Sequence, residues 1–435
     1  MWKHIMTAST PTQLSQPASQ HKDIIIIGAS HAGIACAERL RKLGHEGSIT
    51  VIDRLKGLPL ERPPLSKAFL KSAESDETAF ALRSESWFAD NQITLMAGVT
   101  VTQIAPQDHQ LTLDNGDTLG WHQLVLATGA YPRPLPISGG DNKNIMMLRH
   151  PVDARALRSK LNAAKHVIII GGGYIGLEVA ASARTLGKEV SVIEAADRLL
   201  ARVASAEASA YFQALHQANG VAIHTQAQVS GIAETETKMQ VLIGDNKANN
   251  ATMDADLIVA GIGVIPDMDL AAKAGLSTGN GVLTDAFYRS SAADIYAIGD
   301  VALPAHGYTN GTIRLESVHH AQMSADIAAQ SMMGQAADAH ETPWFWSEQY
   351  DVRLQSAGLV PADHDTVRRE GRRQGQVSFW SFSANGKLAA VEALNDGQAY
   401  MVGRHLLSSP DPENRITKAL IADPATELKT LMKRP

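Results

Sequence analysis

The sequence predicts an α/β chain of two nucleotide-binding units with parallel sheets, followed by a small α+β domain. Three observations carry this expectation. Residues 24–33, IIIIGASHAG, read as a buried strand, a glycine turn and a helix start. The same design returns as VIIIGGGYIG, with Gly171 standing 143 residues after Gly28 (171 − 28). Beyond residue 343 the texture changes to period-two alternation broken by turn residues, which predicts an antiparallel sheet.

Each predicted element has a local reason. In the first unit the isoleucine strand is followed by a helix to about residue 44. A second strand, SITVID at 48–53, ends in Asp53. The Pro-rich GLPLERPPLSK cannot continue a helix or central strand. The apolar strand LVLATGA stops at Gly129, and YPRPLPISGG links to the second unit. That unit runs from Val167 through VSVIE, ending in Glu194, to the strand LIVAGIGVIP at 257–266. A last buried strand closes in Gly299-Asp300. Residues 23–130 with 259–342 form one domain on this reading, 131–258 a second, and 343–435 a third. Residues 1–22 are rich in Ser, Thr, Gln and Pro and read as an extension without a packed core.

Bulk properties exclude several classes. The chain has 435 residues, 44% hydrophobic and 19% charged, with a net charge of −6, so it lacks the overall basic footprint of nucleic-acid binding. Its single cysteine, Cys36, rules out an intramolecular disulfide framework and a cysteine-held metal cluster. No HExxH or similar ligand spacing surrounds His319-His320, so no metal site is expected. Neither a secretory h-region nor a membrane span is present in the sequence, and a cytoplasmic location is expected.

Glycine turns of this kind aim backbone N–H groups and a helix N-terminus at a pyrophosphate. Two Rossmann-like copies imply two dinucleotides, one resident and one arriving as substrate. Gly28 makes the first turn and Gly33 lets the helix approach the strand, while Ser30 replaces the usual middle glycine. A serine Cβ restricts approach, but its hydroxyl can donate to a phosphate. Asp53, 25 residues after Gly28, stands where an acid grips ribose hydroxyls. The second copy has the full set, Gly171, Gly173 and Gly176, with Glu194 23 residues on. A carboxylate there disfavours a 2′-phosphate by up to roughly 4 kcal/mol per charge pair at 4 Å and an effective dielectric near 20, before screening. NADH is therefore expected over NADPH, with Arg198 and Arg202 close enough in sequence to soften the preference.

Seven segments together resemble one family: ERPPLSK (61–67), LATGAYPRPLP (126–136), VIIIGGGYIGLEVAA (167–181), AGIGVIPD (260–267), IYAIGDVA (295–302), RLESVHHA (314–321) and PWFWSEQYD (343–351). The family is that of the FAD-dependent, NADH-dependent ferredoxin reductases of bacterial oxygenase systems, and the resemblance runs from residue 23 to the C-terminus. It implies FAD in the first fold and NADH in the second. Lys67 then matches the lysine beside flavin N5, paired with the acid at Glu178. Asp300, beside Gly299, matches the carboxylate that accepts from a ribityl hydroxyl. Arg133, Arg149, Val101 and Val318 match further flavin contacts. Ile175, Glu178, Arg202, Gly263 and Glu316 match the nicotinamide path. Gly28, Ser30, His31, Ala32, Gly33, Asp53, Arg62, Ala127, Thr128, Gly129 and Trp346 complete the cofactor set on the flavin side. Gly171, Gly173, Tyr174, Gly176 and Glu194 complete it on the NADH side. Leu60 stands where the family has Tyr or His, and its acid is more usual at position 54 than at 53.

Related disulfide and peroxide reductases carry a redox cysteine where this chain has PPLSKAFL, and Cys36 reads as a small core residue of the first helix. Electrons are therefore expected to leave the flavin directly, one at a time, for a [2Fe–2S] ferredoxin that feeds a Rieske-type or haem oxygenase. Trp344 and Trp346 alternate on one strand and face the same way. Arg368, Arg369, Arg372 and Arg373 read as a solvated turn and, with Arg353, as the positive patch for an acidic ferredoxin. Two alternatives share these folds: an FAD-dependent NADH oxidase, and an NADH-sensing redox protein of the apoptosis-inducing-factor type.

Overall fold

The structure, a computed structural model, describes residues 23–72, 74–236, 238–244, 250–305, 313–338, 342–409 and 416–432. The expected extension, residues 1–22, lies outside them.

The first unit is a five-stranded parallel sheet in the order Ile295–Ala297, Gln123–Leu126, Ile24–Ile27, Ile49–Asp53, Ile93–Ala97. Its central strand is buried on both faces, which is why it reads as unbroken isoleucine rather than alternation. Helices His31–Lys42 and Val318–Met332 pack against each other over one core, and Cys36 is fully buried in it. Burial pushes the Cys36 thiol up to about 12, so it is no thiolate. A three-stranded antiparallel meander, Val101–Ala105, Gln110–Leu113 and Thr118–Gly120, flanks the sheet.

The second unit repeats the plan. Its parallel sheet runs Val221–His224, Glu189–Ile193, His166–Ile170, Leu257–Ala260, Ile145–Met147. It too carries a meander, Gln228–Glu234, Met239–Gly244 and Asn250–Ala255. The chain crosses between the units twice, and both crossings pair as one antiparallel ribbon of Ala130–Pro132 with Val264–Pro266. Arg133 N–H donates to Gly263 O (2.9 Å) and Asp267 N–H to Gly129 O (2.9 Å), extending that ribbon at both ends.

The third unit is the antiparallel sheet expected from the alternation, in the order Trp344–Gln349, Val352–Gly358, Leu388–Leu394, Val377–Ser383, His364–Glu370. Helix Gly397–Ser408 covers one face over Trp380 and Phe382.

The two glycine turns obey the same steric rule. Gly28 has φ +111°, and a Cβ there would lie 2.2 Å from Ala127 O; Gly171 has φ +106°, with Gly261 O at 2.5 Å. Ser30 and Gly173 both sit in extended backbone at the helix N-cap, with φ −90° and −79°. Any residue adopts that conformation, which explains how serine replaces glycine at position 30. Gly28→Ala and Gly171→Ala are each expected to cost at least about 2–3 kcal/mol in unfolding experiments, from backbone strain and the carbonyl clash. Ser30→Gly meets no backbone obstacle, so its stability should fall only by the hydrogen bond that Arg62 donates to Ser30 Oγ, about 1–2 kcal/mol.

Candidate active site

One open cleft lies between the two parallel-sheet units and the first strand of the third. Into it project Ser30, His31 and Ala32 from the first glycine turn, and Arg62 and Lys67 from the Pro-rich segment. Ala127, Thr128 and Gly129 line it from a strand end, and Arg149 from the loop after the link. Tyr174, Ile175 and Glu178 come from the second helix start, with Gly299, Asp300, Glu316, Val318 and Trp346 on the remaining wall. Sequence-predicted residues spread over more than 300 positions therefore meet in one cavity.

The other predicted residues build the turns and rims. Asp53 Oδ2 accepts from Ala29 N–H (2.7 Å) and Oδ1 from Leu55 N–H (2.8 Å). Glu194 does the same in the second unit, Oε2 taking Gly172 N–H (2.6 Å) and Oε1 taking Ala196 N–H (2.7 Å). Both acids thus brace their glycine turns, and each oxygen keeps a second lone pair. Gly33 and Gly176 sit where a Cβ would strike the carbonyl of Gly28 or Gly171. At Gly173, by contrast, the nearest protein atom is 4.0 Å from a Cβ position, so the approach is open. Gly263 has φ +105° and lies beside the Arg202 guanidinium, 3.3 Å from its Cβ position. Arg198 turns away: its guanidinium donates to the carbonyls of Ala201, Ala204 and Ser205, so it is not placed to soften the nucleotide preference. Val101 begins its strand inside the first core, 6% exposed.

The electrostatics of the first glycine turn are those of an anion site. Arg62 is half-buried and donates to Ser30 Oγ (2.8 Å) and Arg149 O (2.8 Å). Burial, with the Arg149 charge second, pulls its guanidinium down to about 9. Arg149 forms an ion pair with Asp300 at 2.7 Å, yet its buried Nε finds no acceptor in the structure. Burial and then Arg62 push His31 down to about 4 and His150 to about 3, so both imidazoles are neutral at pH 7. Two half-buried cations, an orphaned N–H and a helix N-terminus suit a diphosphate on the first fold, and the open helix N-terminus at Gly173 suits one on the second.

At the inner end, Lys67 Nζ lies 2.9 Å from Glu178 Oε2, with side chains 15% and 6% exposed. Lys67 is therefore no surface lysine. Glu178 also accepts from Ser66 Oγ, and from Ser347 Oγ at 2.7 Å. Trp346 closes the wall here, its ring 5.6 Å from that of Trp344, so the two tryptophans share a face as their spacing predicts. Trp344 in turn contacts His319 (5.3 Å), while His320 faces Tyr288 (6.0 Å); this histidine pair is packed into the core.

Two points depart from the sequence expectations. Only half of the arginine run is a solvated turn: Arg372 and Arg373 lie exposed between two strands, whereas Arg368 and Arg369 lie within the strand His364–Glu370. Arg369 donates to the carbonyls of Ile421, Asp423 and Thr426, Arg368 pairs with Glu370, and Arg372 pairs with Glu427. Their strand is also the sheet edge opposite Trp344–Gln349, so four strand spacings, about 19 Å, separate it from the cleft. Arg353 is closer but faces Glu348 at 3.7 Å. Secondly, sequence reasoning missed Ser66 and Ser347 on Glu178, and Phe345, whose ring packs on Tyr174 at 4.6 Å. Ser66 lay inside the quoted ERPPLSK motif and Phe345 and Ser347 inside PWFWSEQYD, but neither motif says which side chains reach Glu178 or Tyr174.

Two dinucleotide folds that share one cleft, with a buried ammonium–carboxylate pair where they meet and no cysteine there, define a flavoprotein oxidoreductase without a redox disulfide. Residues 22–325 match the pyridine nucleotide-disulphide oxidoreductase family and residues 344–432 the reductase C-terminal domain. The chain is 37% identical over 416 residues to the 5,5′-dehydrodivanillate O-demethylase ferredoxin reductase subunit of a Sphingobium species, covering 94% of this chain and 98% of that one. It superposes with a TM-score of 0.89 on the ferredoxin reductase for the CYP199A2 system from Rhodopseudomonas palustris, at 36% identity, covering 95% of this chain and 100% of that one. The covalent putidaredoxin reductase–putidaredoxin complex gives a TM-score of 0.86 at 32% identity, over 94% and 98% of the two chains. This chain belongs to the pyridine nucleotide-disulphide oxidoreductase family, in its ferredoxin reductase branch, whose members are FAD enzymes that use NAD(P)H.

The neutral histidines carry a pH consequence. An unfolded imidazole titrates near 6.5, whereas His31 and His150 resist protonation until about pH 4 and 3. Below pH 6.5 the unfolded chain binds more protons, so stability falls as pH drops towards 4. Chemical unfolding of the FAD-free protein should show this loss, smaller in His31→Gln. Bound FAD should reduce it, because a nearby diphosphate favours the charged imidazole.

Proposed function

We propose that the protein takes hydride from NADH and delivers single electrons to a [2Fe–2S] ferredoxin serving a Rieske-type or haem oxygenase, in the cytoplasm. The observation that carries this reading is the Lys67–Glu178 pair, buried where both nucleotide folds and the Trp346 strand converge. The relatives' names support the partner class: one is the ferredoxin reductase subunit of a demethylase, another was captured bound to putidaredoxin. On this reading residues 23–130 and 259–342 hold FAD, residues 131–258 bind NADH, and residues 343–435 cover the flavin side of the cleft.

FAD, when bound, accepts a hydride and returns two electrons singly, so NADH and two oxidised ferredoxins give NAD⁺, two reduced ferredoxins and one proton. The remaining roles belong to the chain. Arg62, Arg149, Ser30 and the N–H groups around His31 hold the diphosphate, with Asp53 on the adenosine side. Asp300, tied to Arg149, would accept from the ribityl chain, and Thr128 and Gly129 would line the cleft beside it. Lys67 places a fixed positive charge at the redox-active end, where negative charge develops on reduction. Glu178 orients that ammonium. Gly171, Gly173 and Gly176 cradle the NADH diphosphate, and Glu194 accepts from its ribose. Ile175, Gly263, Arg202 and Glu316 line the nicotinamide approach. Trp346 excludes water from the flavin edge.

Three measurements test this. NADH oxidation should couple to cytochrome c reduction only with a [2Fe–2S] ferredoxin present; dioxygen accounting for all NADH consumed would replace the proposal with the oxidase reading. Lys67→Met should retain FAD yet slow anaerobic flavin reduction about tenfold or more, the loss of at least ~1.4 kcal/mol of charge stabilisation. Wild-type speed in that variant would leave Lys67 a bracing residue. Glu194→Gln keeps one acceptor oxygen but removes the charge, and should narrow the NADH-to-NADPH ratio of kcat/KM by about 10–100-fold, the ~1–3 kcal/mol that survives screening.

A further inference from the structure

The Lys67–Glu178 pair does not end at Ser347. Ser347 Oγ accepts from Gln349 Nε2 at 3.2 Å, Gln349 Oε1 faces His216 Nε2 at 2.8 Å, and Tyr350 Oη lies 3.2 Å from His216 Nδ1. Ser347, Gln349 and His216 are 0–1% exposed. The row spans two units: Ser347, Gln349 and Tyr350 belong to the third, while His216 sits in the last turn of helix Ala206–Ala218 of the second. Ser347 and Gln349 stand two apart on one strand, so both point to the same side.

The direction of every bond follows from its first member. An ionised carboxylate only accepts, so the single hydroxyl proton of Ser347 goes to Glu178 Oε1. Ser347 Oγ must then receive its second bond from the Gln349 amide nitrogen, which turns Gln349 Oε1 towards His216. An acceptor there requires a proton on His216 Nε2, leaving Nδ1 to accept from the Tyr350 hydroxyl. Burial pushes the His216 imidazole below its usual range, in keeping with a neutral ring. Four donors thus line up, all oriented towards Glu178, and a row of this kind polarises its members cooperatively.

We propose that His216, outside the cleft, is a positioning residue for flavin reduction: it locks Gln349 and Ser347 so that Glu178 Oε1 is held and Oε2 stays on Lys67. The proposal rests on the functional reading above. Without His216, Gln349 is free to turn over and offer its oxygen to Ser347. The serine proton then leaves Glu178, and the carboxylate loses the donor that fixes its rotamer.

Histidine ¹⁵N NMR on wild-type protein, with and without FAD, should find His216 neutral at pH 7 with its proton on Nε2. In the holoenzyme, His216→Leu should lower the limiting rate of flavin reduction by NADH about tenfold, the effect of one lost hydrogen bond to a charged group, with KM changed less than about twofold. The flavin midpoint potential should move to more negative values. His216→Gln, whose amide can donate to Gln349 and accept from Tyr350, should restore rate and potential to within about twofold and close to wild type respectively. A charged His216 or the Nδ1–H tautomer overturns the proposal, as does a leucine variant that loses only thermal stability, or a glutamine variant as slow as leucine. A wild-type flavin that NADH does not reduce overturns the functional reading instead, so the two failures are distinct.

Discussion

Glu178 is the interaction on which the rest of the architecture turns. Its carboxylate, 5% exposed, is held by Lys67 and Ser66 from the Pro-rich segment and by Ser347 from the C-terminal sheet, and it rises from the helix of the second glycine turn. A buried charge is tolerable only when such partners surround it. The three units of the chain therefore have one mutual fixed point, and it lies at the inner end of the cleft. Ser182 Oγ adds a second bond of the same helix to Ser66 O at 2.7 Å, so the Pro-rich segment is clamped at two places. Packing then falls into place around this point: Leu65, Phe69 and Leu70 from that segment join the core of the second unit rather than the first.

What could be read in the sequence was what local stereochemistry dictates. The glycines at 28 and 171 announce φ values that other residues avoid, and the isoleucine runs announce strands buried on both faces. Asp53 and Glu194 follow because a strand end in a parallel sheet has a fixed relation to the turn beside it. Their engagement with Ala29 and Gly172 was not legible, since a carboxylate's partner depends on loop closure. Lys67 was legible only through its family motif; as a residue after Pro-Pro it carries no sign of burial.

The misreadings share one cause. Arg369 is written beside other arginines, but its three acceptors lie 52 to 57 residues further on, in the terminal segment that it anchors. Charge density along a chain measures nothing about charge density in space once a strand alternates its side chains and a distant loop folds over one face. Ser347 and Gln349 were silent for the same reason, their partners Glu178 and His216 being 169 and 133 residues away.

The ribbon formed by Ala130–Pro132 and Val264–Pro266 has a topological meaning of its own. The second nucleotide unit leaves the first and returns to it through two neighbouring backbones, so in the language of gene architecture it is an insert with a single stem. Its sheet shares no strand with the first. A unit joined in this manner is modular: it meets the first through one ribbon and leaves the host sheet uninterrupted. The host's demand on any such module is then a short specification: a carboxylate on the helix of its glycine turn, just past the glycines, at the place that Lys67, Ser66 and Ser347 converge upon.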